Sequence, residues 1–173
     1  MLFMKMAKFR EARKDNKGFS LVELIIVIAI MVALVAMLAP QFVKYVSKSR
    51  DAVISSAAED VLATAKSDFA LTKMAFITPA NGGEIYIGAD GNQKLSVVIS
   101  GLKYRSDDNP NTAYVNNDSQ SFQDMCGVDN AKKTTSTLVY KITITDGGNG
   151  SPVFSMKSNA EDTSIAMPAS TGG

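Results

Sequence analysis

The polarity of the chain changes three times from end to end. A basic, polar stretch opens it, an almost wholly apolar run follows, then a segment of mixed helical periodicity, and finally short alternating runs between turn formers. Between Phe19 and Ala39 only Ser20 and Glu23 are polar, and Leu24 to Ala39 carries no polar side chain. At about 1.5 Å per helical residue, that run is long enough to cross a hydrocarbon core about 30 Å thick. It predicts a membrane-spanning helix. Lys5, Lys8, Arg10, Arg13, Lys14 and Lys17 precede it against only Glu11 and Asp15. Residues 1–18 thus hold about +4 charges and the rest about −3. This flank places the N-terminus in the cytoplasm. A secretory signal has the same order of regions but needs small residues before its cut. Ala33–Ala39 has no Ala-x-Ala, and a cut after Ala39 would leave Pro40 in the leaving position.

Past Pro40 the pattern becomes amphipathic. Phe42, Val46, Val53, Ile54, Ala57, Val61, Ala65 and Phe69 recur mostly at three- and four-residue steps, with Lys44, Lys48, Ser55, Glu59, Lys66 and Lys73 on other faces. A narrow, alanine-rich stripe of this kind suits a helix lying across a small sheet. Helix from near Phe19 to near Phe76 would be roughly 85 Å long. After Thr78-Pro79-Ala80-Asn81-Gly82-Gly83, strands are expected at Glu84–Ile87, Lys94–Ser100, Leu138–Thr145 and Val153–Lys157. Asp146-Gly147-Gly148-Asn149-Gly150 reads as a hairpin loop, and Ser106–Asn130 as a long polar surface loop. The expected fold is α+β, a long N-terminal helix packed on a small antiparallel sheet. The divisions read as 1–18, a basic leader; 19–40, the apolar helix; 41–78, its amphipathic continuation; and 79–173, a β-rich head.

Composition narrows the chemistry. The 173 residues include no histidine and one cysteine, Cys126, at a formal net charge of +1. No intramolecular disulfide can form, and Ser–His–Asp catalysis and histidine-ligated zinc are excluded. No Gly-x-x-x-x-Gly-Lys loop occurs, so this chain does not hydrolyse ATP in the P-loop manner. No cofactor or metal is expected, and the chain reads as non-enzymatic.

Glu23 is the residue with most to explain. A carboxylate in a lipid-facing helix costs several kcal/mol and marks a functional position by default, the alternative being that Glu23 lies near the helix end and reaches headgroup water. A cut between Gly18 and Phe19 would create an amino terminus about 6 Å along the axis from Glu23. Staggered copies of such a helix can pair amine with carboxylate. At 4 Å and an effective dielectric near 20, each pair gains about 4 kcal/mol before desolvation. Unpaired, the charge is penalised; paired, it sets axial register.

At these residues the chain resembles a known family. Lys17-Gly18-Phe19-Ser20-Leu21-Val22-Glu23-Leu24-Ile25-Ile26-Val27-Ile28-Ala29-Ile30 is similar to the processing and N-terminal helix motif of type IV pilins. The resemblance is close over residues 17–40 and looser to about residue 76. It implies cleavage after Gly18 by a prepilin peptidase and N-methylation of the exposed Phe19. It further implies that Glu23 and Phe19 serve assembly and that Pro40 marks a helix bend, which proline's missing N–H also favours. The implied partners are further copies of the chain in a helical homopolymer, the peptidase, and a membrane assembly platform with its ATPase. The cytoplasmic membrane holds the precursor, and a host or surface receptor meets the extracellular fibre in adhesion, twitching motility or aggregation.

Three departures qualify the resemblance. Val32 stands where many pilins have glycine, no disulfide closes a C-terminal loop, and the leader is longer than in the common short-leader subclass. The disulfide-free head resembles Gram-positive members. A pseudopilin of a secretion or DNA-uptake system, a minor pilin, and a permanently anchored enzyme or binding domain are the competing readings. Weaker features have ordinary explanations. Phe42 and Tyr45 suit packing, Asp90-Gly91-Asn92 and Asp107-Asp108-Asn109 suit turns rather than Ca²⁺ loops, and Cys126 suits packing. Asn117-Asp118-Ser119 and Asn149-Gly150-Ser151 fit the glycosylation triplet.

Overall fold

The computed structural model describes residues 19–105, 113–129, 131, 133–148 and 151–169. The architecture is α+β, as the polarity pattern predicts. Helix α1 (Leu21–Ala70) is followed by β1 (Met74–Phe76), β2 (Gly83–Ala89), β3 (Leu95–Ser100), β4 (Leu102–Tyr104), β5 (Val115–Asn116), α2 (Ser119–Met125), β6 (Val139–Asp146) and β7 (Pro152–Ser158). The chain forms two compact units, Met1–Lys44 and Tyr45–Gly173.

In the Met1–Lys44 unit, every described side chain from Phe19 to Lys44 is exposed. Leucine, isoleucine, valine and methionine support helix well enough here, but no described residue of this unit covers them. Among the described residues, one helix, α1, is long and apolar enough to cross a membrane by length and composition. Apolar surface on this scale marks contact with lipid or with other protein.

In the Tyr45–Gly173 unit, α1 buries the stripe that its spacing predicts. Ile54, Ala58, Val61 and Ala65 are fully buried, at steps of four, three and four residues. They meet one face of a four-stranded antiparallel sheet ordered β3-β2-β6-β7. Period-two alternation builds that face: Ile85 and Ile87, Leu95, Val97 and Ile99, and Ile142 and Ile144 point inward. Glu84, Tyr86, Lys141 and Thr143 fall on the other side of the pleat. All four strands expected from the sequence are present, each within two residues of its expected limits. Polar contacts tie α1 to the segment leading into and along β6. Ser55 Oγ lies 2.8 Å from Tyr140 Oη, Ser136 Oγ donates to Asp51 Oδ1, and Arg50 Nη1 donates to Thr135 Oγ1.

Three expectations are corrected. The helix ends at Ala70 rather than near Phe76, and Met74–Phe76 is a strand. Thr72 adopts φ 58°, Lys73 N donates to Asp68 O at 2.8 Å, and Thr72 N donates to Phe69 O at 3.2 Å. That pattern closes a Schellman terminus, which usually carries glycine rather than a β-branched residue. Second, a three-stranded antiparallel sheet, β1-β4-β5, accompanies the larger one. A single residue, Gly101, links β3 to β4 at φ +69°, so one run of chain serves both sheets. A Cβ at Gly101 would lie 2.8 Å from Gly82 O, which leaves room only for glycine.

Third, Ser106–Asn130 is not all loop. Its described part contains β5 and α2. Asp118 caps α2 by accepting from Ser121 N at 3.0 Å, and Gly127 ends it at φ +66°. Phe122 is fully buried against Tyr104, with ring centroids 5.3 Å apart. The same helix satisfies the outer edge of β3. Gln123 Oε1 accepts from Val97 N at 2.8 Å, and Ser119 Oγ accepts from Ile99 N at 2.9 Å. An otherwise open strand edge is thereby occupied.

Candidate functional site

Phe19 and Ser20 precede α1, and Leu21 is its first helical residue. Gly18 and the rest of residues 1–18, expected to be a leader, lie outside the described residues. Phe19 is 86% exposed. Glu23 turns back toward the helix start, where Ser20 N donates to Glu23 Oε2 at 3.0 Å and Leu24 N to Ser20 O at 3.2 Å. This is the carboxylate half of a capping box, with Ser20 as N-cap and Glu23 at N3. The arrangement satisfies one orphan N–H and sets a negative charge on the positive end of the helix dipole. Ser20-x-x-Glu23 is the sequence signal for it, one that reading Glu23 only as a charge in an apolar run passes over.

Pro40 sits inside α1, which continues through it. Having no N–H, it leaves the Ala36 carbonyl without its intrahelical donor. Phe42 and Tyr45 are each 69% exposed, so neither packs into a core of its own chain. Their surface is free for another molecule.

Among the described residues of the head, one open hollow gathers polar side chains. On the outward face of the sheet, Tyr86, Lys141, Thr143, Ser155, Lys157, Asp162 and the Ser164–Ala166 backbone surround an open hollow of about 350 Å³. Lys141 Nζ pairs with Glu84 Oε1 at 2.6 Å, and Tyr86 Oη donates to Glu84 Oε2 at 2.7 Å. Burial alone would raise the Glu84 pKa, but the Lys141 and Tyr86 hydrogen bonds outweigh it and hold the carboxyl below its ordinary value. The Glu84 hydrogen bond raises the Lys141 pKa against the effect of burial. A depressed carboxyl pKa means stability that is present above the unfolded value and lost as pH falls through the folded one. Chemical unfolding between pH 6 and pH 3 is therefore expected to show an acid-limb loss that Glu84→Gln flattens. An unchanged acid limb in that variant would show that the pair contributes nothing measurable.

Where they are described, the remaining candidates are accounted for by packing and turns. Cys126 is half-buried beside Thr64, Asp68 and Asp60; burial pushes its thiol up to about 12, so it stays protonated. Asp90 Oδ1 accepts from Asn92 N and Lys94 N, both at 2.8 Å, and so closes a turn. Asp107-Asp108-Asn109 and Asn149-Gly150 lie outside the described residues. In Asn117-Asp118-Ser119, the last two side chains cap α2 and the β3 edge. Among the described residues, no three His, Cys, Asp or Glu side chains are grouped to hold a metal.

No curated protein and no solved structure matches the chain. Residues 13–39 match the family described as the prokaryotic N-terminal methylation motif. That signal belongs to type IV pilin-like and pseudopilin proteins, structural components inserted in the membrane as precursors and processed by a prepilin peptidase. The matched stretch takes in the start of the long apolar helix itself, and the chain is prepilin-like.

Proposed function

We propose that this chain is the structural subunit of a type IV pilus. The observation that carries the reading is the exposed apolar run from Leu24 to Ala39 within the methylation motif. The precursor sits in the cytoplasmic membrane with its basic leader, residues 1–18, inside. The peptidase cuts after Gly18 and Phe19 is N-methylated. Residues 19–40 then leave the lipid for the filament core, residues 41–78 continue toward the head, and residues 79–173 face outward. Glu23 pairs with the amino terminus of a neighbouring copy during assembly, and Pro40 supplies the point where the packed helix bends. Removing some twenty apolar residues from lipid costs far more than thermal energy, so an ATP-driven platform must do the work. The subunit itself is non-enzymatic, and the extracellular fibre acts in adhesion, motility or aggregation.

Mass spectrometry of the N-terminus of protein sheared from the cell surface tests this. The expected result is a chain that begins at N-methylated Phe19 and is recovered in fibres. An intact leader on protein that stays in the membrane would overturn the reading in favour of a permanent anchor. A processed chain that never reaches the surface would point instead to a pseudopilin.

A further inference from the structure

Within the Tyr45–Gly173 unit, the side of α1 turned away from the sheet carries separated charges. Lys48, Glu59 and Asp60 are all exposed, and among the described residues none of them makes an ion pair. Eleven residues separate Lys48 from Glu59. That is three helical turns to within about 20°, so the two lie on one line along the helix, about 16 Å apart. They are too distant to meet in one chain. Asp60 holds the opposite edge of the same exposed strip. Between the charges, Ala52, Ser56 and Ala63 are exposed and short, so a second backbone can approach. Two nearby cations are engaged within the chain: Arg50 donates to Thr135, and Lys66 Nζ lies 5.9 Å from the centroid of the Phe154 ring.

A positive site followed by a negative one along a single helix can meet its counterpart on a second copy that is rotated about the long axis and translated along it. A parallel copy displaced along the axis brings its carboxylates to the first copy's ammonium. Head-to-tail contacts join different edges of identical molecules, and acids on both edges of the strip serve such a contact. We infer that Lys48 of one copy of this chain pairs with Glu59 and Asp60 of a second, parallel copy displaced by about 17 Å along α1. This rests on the proposed filament and adds to it a second axial register, outside the apolar segment. Each pair is weak alone because it is exposed, but it repeats at every subunit.

Charge reversal in the full-length chain, expressed in cells that assemble it, tests the pairing through the yield of sheared fibres. Lys48→Glu is expected to lower the yield about tenfold or more, as is Glu59→Lys with Asp60→Lys, because each sets like charges side by side. The triple variant, with all three charges reversed, restores yield to near wild type. Cross-linking gives an independent readout: in a Cys126→Ser background, copies with Lys48→Cys and copies with Glu59→Cys, expressed together, form an intermolecular disulfide on mild oxidation. Wild-type fibres with undiminished yield from Lys48→Glu, or a loss that the triple variant fails to recover, would overturn the pairing and leave the filament reading intact. If the wild-type chain makes no fibre and the cysteine pair fails to cross-link, both fall.

Discussion

Phe122→Ala is expected to lower the unfolding free energy of the Tyr45–Gly173 unit by about 3–5 kcal/mol. Phe122 is fully buried and meets Tyr104, itself fully buried, edge to face at 5.3 Å. Helix α2 has seven residues, too few to be stable without tertiary anchoring. Losing the ring leaves a cavity and loosens the helix that carries Gln123 and Ser119. Those side chains accept from Val97 N and Ile99 N, so the β3 edge reopens with it. The chain has no tryptophan and five tyrosines, which makes tyrosine fluorescence a direct probe of unfolding by urea. Phe122→Leu serves as the control, since it keeps most of the apolar volume and is expected to cost much less. Equal losses in both variants would indicate that ring stacking with Tyr104, rather than cavity volume, dominates the site.

The second large effect concerns Glu23, where two roles coincide and can be separated. Glu23→Gln keeps an oxygen that can accept from Ser20 N, so the helix start should persist. Glu23→Ala removes the cap and is expected to cost the first turn about 0.5–2 kcal/mol. Hydrogen exchange at the amides of Leu21 to Leu24 reads that difference. Both variants lose the negative charge, and on the proposed mechanism both lose about tenfold or more of fibre yield, because an amine left unpaired among apolar helices is strongly penalised. Were Glu23→Gln to assemble as well as wild type while Glu23→Ala failed, capping rather than charge pairing would be the role of this residue.

The four main strands and the buried stripe of α1 could be read from the chain because each depends on a local period. Inward residues at every second position of β2, β3 and β6, and at steps of three and four on α1, declare their faces without knowledge of their partners. The apolar segment is legible for a simpler reason: sixteen unbroken apolar residues have few alternatives. Its capping signal, Ser20-x-x-Glu23, was equally present and is local in the same way. The end of α1 was not legible, since Thr72 in the left-handed region contradicts its own propensity and is held by the hydrogen bonds around it. In α2, Asp118 and Gly127 are proper start and stop signals, yet a seven-residue polar helix is too short to show a period.

The sequence by itself determined the segregation of the chain into a basic N-terminal stretch, an apolar helical run and a strand-rich remainder, and with it the methylation motif that marks the protein as prepilin-like. Those features rest on runs of like residues and on spacings within one turn, and no distant contact is needed to create them. Only the tertiary structure decided how the head closes. Gly101 could switch sheets because Gly82 O passes 2.8 Å from where its Cβ would stand. Helix α2 found its place because the β3 edge offered two N–H groups to Gln123 and Ser119. Lys48 and Glu59 were left exposed on one side of α1 because the sheet covers the other. Each of these depends on residues far apart in sequence, whose pairing no local pattern records.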